Sequence, residues 1–231
     1  MKRMEGAGKE AYRKTWLRHG VQPPLFGVSY ADLYKLQKEI GADQALASQL
    51  WKTGNHDARV LATLVADPAV MTAKELDAWL ANATNRIMND AVACVAGRSP
   101  HAAKKAEAWR KAKGEWTSSA GWSVVAQLAA ATEMVPDAQL EPLLAEIRDD
   151  IAAAPNYARH AMNGALIAIG GHRPALRAKA VATARAVGKV DVDHGGTSCQ
   201  TPDAVGYIAK MAARATKRAP ARKGRAATRS R

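Results

Sequence analysis

The sequence predicts an all-α protein built as a solenoid of stacked helices. Apolar residues recur at helical spacing, no alternating β-branched run occurs, and turn prolines return at a nearly constant interval. Leu140, Leu143, Leu144, Ile147 and Ile151 step at i, i+3, i+4, i+7 and i+11, which puts all five on one helix face. Met162, Ala165, Leu166 and Ile169 repeat the pattern, as do Leu33, Leu36 and Ile40, and Val60, Leu61, Leu64 and Val65. With one phenylalanine in 231 residues and no β-branched alternation, strands are not expected.

The punctuation suits short helices. Thr72-Ala73-Lys74-Glu75 has the form of a capping box, and Ser29 and Asp43 are further N-cap candidates. Ser99-Pro100 and Thr201-Pro202 each place a hydroxyl before a proline suited to a first helical turn. These signals predict 11 or 12 helices, starting near residues 8, 29, 43, 56, 72, 84, 99, 116, 137, 155, 173 and 202. Pro68, Pro100, Pro136 and Pro174 are spaced 32, 36 and 38 residues apart, each interval enclosing about two helices. That period predicts a HEAT-like, armadillo-type solenoid with a concave basic face. Gly188 to Thr201 breaks the pattern and is expected to be a turn-rich, solvated connection.

The chain is expected to be one helical domain over residues 1–211 and a basic, disordered tail over 212–231. Net charge is +13, and the tail holds eight basic and no acidic residues. The body is therefore still basic, and both parts point to a polyanionic partner. No apolar run approaches the roughly 20 residues of a membrane span, so no membrane association is expected. Met1-Lys2-Arg3-Met4-Glu5-Gly6 leads into no apolar stretch, and two cysteines make no disulfide framework, so a reducing cytoplasm is the expected home.

Asp191, Asp193, His194 and Cys199 cluster without the paired spacing of a zinc site, so no metal is expected. His56-Asp57 is read as a capping or packing pair. No Gly-x-Ser-x-Gly elbow and no phosphate-cradling glycine loop occurs, so neither serine hydrolysis nor a nucleotide cofactor is expected. Asp90 is the carboxylate that stands out, four residues after Arg86 on one helix face. An exposed ion pair is one reading. The other is a carboxylate kept on a DNA-facing surface to stabilise a cationic sugar at a breaking glycosidic bond.

Several blocks carry a resemblance. Gly27-Val28-Ser29-Tyr30-Ala31-Asp32-Leu33, Leu50 to Arg59, Asn156-Tyr157 through Leu166, and Gly188-Lys189-Val190 to Asp203 resemble the AlkD-like DNA alkylation repair family, in order, from about Gly20 to Ala212. The resemblance implies a HEAT-like solenoid wrapping duplex DNA, and in active members release of N3- and N7-alkylpurines without flipping the base into a pocket. It places the family's catalytic carboxylate at Asp90. It also places Arg86 and Gly164 where the family carries tryptophans, and Ser119 where an arginine is expected. Arg86 is expected to lower the pKa of Asp90 or to grip phosphate.

The leading expectation is a DNA-binding member of that family, an N-glycosylase if Asp90 is active. The alternatives are a non-catalytic binder of branched or distorted DNA and a protein–protein scaffold. Arg86, Lys104, Lys105, Ser119, Arg159, His160, Arg173 and Arg177 are the DNA-contact candidates. The expected partner is alkylated or distorted duplex DNA, met by a monomer.

Overall fold

The computed structural model describes residues 1–218. Its N-terminal helices are α1 (Lys2–Ala7), α2 (Glu10–Arg18) and α3 (Tyr30–Ile40). Next come α4 (Gln44–Lys52), α5 (His56–Val65), α6 (Ala73–Ala81), α7 (Arg86–Gly97) and α8 (Ala102–Arg110). The rest is formed by α9 (Glu115–Ala130), α10 (Asp137–Asp150), α11 (Asn156–His172), α12 (Arg177–Val187) and α13 (Ala204–Arg218). No strand occurs among the described residues.

From α3 onward the helices sort into two layers. The odd-numbered helices α3, α5, α7, α9, α11 and α13 pack one against the next. Each even-numbered helix from α4 to α12 packs against a following or preceding odd-numbered one. Pro68, Pro100, Pro136 and Pro174 all fall where the chain leaves an odd-layer helix for the next even-layer helix. A proline in such a connection takes no amide from a helix interior, and it disfavours helical geometry at the residue before it. The 32- to 38-residue period therefore marks helix pairs.

The helix starts match the punctuation, with one addition, the six-residue α1. Ser29, Asp43 and Thr72 cap as expected, and Thr72 and Glu75 form the full capping box. Two expected caps are corrected. Ser99 turns its hydroxyl back to the Ala96 carbonyl, and α8 begins after His101. Asp203, not Thr201, holds the start of α13, accepting from the Gly206 amide at 2.6 Å. The helix α13 also continues to Arg218, past the expected boundary at residue 211, whereas the rest of the expected tail lies outside the described residues.

The core runs between the two layers and includes Leu33, Leu61, Val92, Val125, Leu144, Leu166 and Ile208. Trp51 of α4 and Trp79 of α6 stack at 4.3 Å, joining neighbouring even-layer helices. Asp57 of α5 is buried and accepts from the amides of Phe26, Gly27 and Val28. This carboxylate fixes the loop that carries the chain from α2 into α3.

Candidate nucleic-acid interface

The site begins as a stripe along α7. Arg86, Asp90, Cys94 and Arg98 recur at intervals of four, so they descend one helix face, and all four line a cavity of about 570 Å³. Asn85 starts the helix by accepting from the Met88 amide, which sets the rotation of that stripe. Neighbouring odd-layer helices supply the walls: Tyr30 and Tyr34 from α3, Val60 and Leu64 from α5, Tyr157 from α11. The aromatic groups are ordered among themselves. Trp16 of α2 meets Tyr30 edge-on at 5.6 Å, Tyr30 lies 5.9 Å from Tyr34, and Tyr157 stacks on Trp116 at 5.0 Å.

The last wall is the connection between α12 and α13, through His194, Gly195, Thr197 and Cys199. It is fastened to α11. Asn156 exchanges two 2.8 Å hydrogen bonds with the backbone of Asp193, and Arg159 donates to the Asp191 carbonyl at 3.0 Å. His194 meets His160 edge-on at 5.4 Å and shares a 3.0 Å hydrogen bond with Thr201. The segment is a turn-rich connection as expected, but it closes one side of the cavity. Both cysteines line that cavity.

Asp90 faces the open space, with its side chain about half exposed (47%). Arg86 Nε lies 3.5 Å from Oδ2, and Ser123 Oγ of α9 lies 3.5 Å from Oδ1. Enclosure by the surrounding walls raises the Asp90 pKa above the usual carboxylate range, while Arg86 and Ser123 pull it down and are outweighed. Arg86 thus lowers the Asp90 pKa as expected, but across 3.5 Å it returns less than desolvation costs. Burial, followed by the charges of Tyr34 and Asp90, pushes Tyr30 up to about 12, so its phenol stays protonated and able to donate.

The expected phosphate contacts divide sharply. Arg173 is buried, and its guanidinium takes the carbonyls of Leu128, Ala129, Ala131, Thr132 and Val135, with Asp137 at 3.1 Å. It closes the C-terminal end of α9, where unpaired carbonyls gather. Arg177 does the same for α11 through Gly170 and Gly171. Arg159 serves the Ala152, Ala154 and Asp191 carbonyls. Lys105 is buried against Asp77 at 2.6 Å, with its ammonium 5.5 Å from the Trp109 ring. Ser119 is buried inside α9, and Ser123, one turn on, is the residue that reaches Asp90. In these five residues most of the polar groups already have protein partners or face the interior. Lys104 is exposed on α8, away from the cavity lining. His160 lies behind the loop, and Arg86 alone among the basic candidates lines the cavity.

Sequence reasoning missed Arg18, Arg98, Trp16, Tyr30, Tyr34 and Tyr157 as cavity residues. The signal was present in the spacing of four from Arg86 to Arg98 and from Tyr30 to Tyr34. The role of Trp16 carries no such signal, because it depends on how α2 folds back.

A family profile described as "DNA alkylation repair enzyme" matches residues 1–216. The chain belongs to the DNA alkylation repair family. An uncharacterized protein of Listeria innocua is 29% identical over 203 residues, covering 85% of this chain and 88% of the relative. One of Listeria monocytogenes is 28% identical with the same coverage. A solved structure, 30% identical and covering 93% of each chain, superposes with a TM-score of 0.85. It is described as a new family of proteins related to the HEAT-like repeat DNA glycosylases, with affinity for branched DNA structures. The two-layer stack is thus a HEAT-like repeat fold. Within this family frame, Gly164 leaves open space on α11: a Cβ there would meet nothing within 4 Å. No helix of the described residues is long and apolar enough to cross a membrane.

Proposed function

We propose that this protein binds branched or distorted DNA through the cavity-bearing face of its odd layer and does not excise bases. The observation that carries this reading is the Arg86–Asp90 contact on α7. A carboxylate that stabilises a sugar cation acts through an unshared negative field. At Asp90 that field is offset by a guanidinium on the same helix face, and partial enclosure by the cavity walls disfavours the anion. Arg86 stands where the family resemblance expects a tryptophan, and Gly164 leaves a second aromatic position empty of side chain. Arg18, Arg86 and Arg98 then make the cavity lining basic, with Asp90 the single carboxylate that lines it among the described residues. The affinity of the similar solved protein for branched DNA supports the choice of ligand.

N-glycosylase action on alkylated purines is the second reading, favoured by one observation: Asp90 does open into the cavity beside aromatic rings. Two measurements separate them. Fluorescence anisotropy should show a four-way junction bound about tenfold tighter or more than linear duplex at equal length and salt, the scale of one or two added contacts. Duplex containing 7-methylguanine should release no free base. Equal affinity for junction and duplex would overturn the branch preference. Base release that Asp90→Asn abolishes would establish the enzyme.

A further inference from the structure

Gripping a phosphate backbone requires cations and amides on a surface, and it does not require a hole walled by aromatic rings. This cavity, at about 570 Å³, falls within the roughly 300–1,000 Å³ of sites that enclose small organic ligands. Its walls are flat or apolar: Tyr30, Tyr34 and Tyr157, with Val60, Leu64 and Ile87 between them. Among its lining residues Asp90 is the carboxylate, touched by Arg86 and by Ser123. The two contacts to that carboxylate, each 3.5 Å, are longer than ordinary strong hydrogen bonds and leave acceptor capacity directed into the space. Arg18, His19 and Arg98 line it as well. Flat faces for stacking, an acceptor at one edge and cations outside match the parts of a nucleotide: ring, N–H edge and phosphate.

We infer that the cavity receives one unstacked nucleotide of a DNA branch, its base between the tyrosine walls with an N–H edge toward Asp90 and its phosphate at the arginine margin. The inference rests on the DNA-binding reading and names what that face recognises. A branch point supplies such a nucleotide cheaply, because its bases are already partly unpaired. A free mononucleotide offers the same chemistry, and the assignment is to the DNA strand. The cavity lies on the layer where six odd helices line up, which gives flanking strands a surface to follow.

The test uses a three-way junction with one unpaired nucleotide at the branch, compared with the same junction carrying a tetrahydrofuran abasic site there. The full-length protein should lose about tenfold in affinity for the abasic form, the size of one base stacked on an aromatic ring. Ala91→Trp, which puts an indole at a lining position of the cavity, should bind both junctions equally, at the level the wild type shows for the abasic one. Tyr34→Ala should narrow the difference without depending on a repacked interior, because Tyr34 is 51% exposed. Equal binding of the two junctions by the wild type would overturn the pocket and leave branched-DNA binding intact. A free deoxynucleoside monophosphate that binds as tightly as the junction would overturn its assignment to a DNA strand. Absence of any junction affinity would refute the proposed function itself, and the pocket with it.

Discussion

The imidazole of His160 is held neutral far below the usual histidine range, at about 4, first by burial and then by the charges of Arg86 and His194. Its Nδ1 is buried without a protein partner among the described residues, so an added proton there would find no acceptor. The folded value lies below the ordinary 6.5, so the unfolded chain takes up the proton first as pH falls. The associated stability is complete above pH 6.5 and is lost as pH drops through about 4. Each pKa unit is worth about 1.4 kcal/mol, and the partial exposure of the ring discounts the loss to roughly 1–2 kcal/mol. Urea denaturation across this window should show that decline, and His160→Gln should flatten it. An unchanged pH slope in the variant would place the titration elsewhere. Asp90 was legible because it is an acid on an otherwise apolar and amide-rich helix. The arginines were not, because charge in a sequence does not say whether a guanidinium meets solvent or a helix end. Arg173 follows the last turn of α11 and precedes Pro174, a position where a cation tends to meet free carbonyls, but those it meets belong to α9.

Among elements, the close pairing of α8 with α9 depends on one residue. A Cβ on Gly121 would run into the backbone of Arg110 and Trp109, which cannot move aside as a side-chain tip could. Gly164 on α11 has the same secondary structure and the opposite surroundings, with open space where a Cβ would go. Gly121→Ala should therefore destabilise by about 1–3 kcal/mol or more through overpacking. Gly164→Ala should stabilise by roughly 0.5–1 kcal/mol, the ordinary helix preference of alanine over glycine. Thermal and urea unfolding of the two variants would check the pair, and a stabilised Gly121→Ala would show that α8 and α9 can separate freely. Helix existence and most caps were readable because Ser29, Asp43 and Thr72 act on amides three residues away. The close approach at Gly121 was not readable, since it depends on Trp109 and Arg110 at the end of another helix, whose placement only the stack determines. The connection from Gly188 to Thr201 is intermediate: its turn character is local, whereas its place over the cavity comes from Asn156 and Arg159.

At the scale of the molecule, the two-layer stack places six odd-numbered helices in one continuous sheet of helices, and the proline period marked those pairs in advance. The charge has two sources that should act differently. The face around the cavity has a few arginines in fixed positions, suited to discriminating shapes. Residues 219–231 hold five basic groups and no acidic ones, suited to attracting any polyanion. Each phosphate contact contributes about 0.9 to the slope of log affinity against log salt on duplex DNA. Deleting residues 219–231 should thus lower that slope by no more than about 4.5, and weaken junction and duplex alike. The ratio of junction to duplex affinity should stay unchanged, because the groups that would read a branch belong to α2, α3, α7 and α11. Anisotropy titrations of the full chain and the 1–218 form at several salt concentrations would measure both quantities. A ratio that collapses on deletion would move branch recognition from the folded face to the basic segment, and the cavity would then have no part in choosing the DNA.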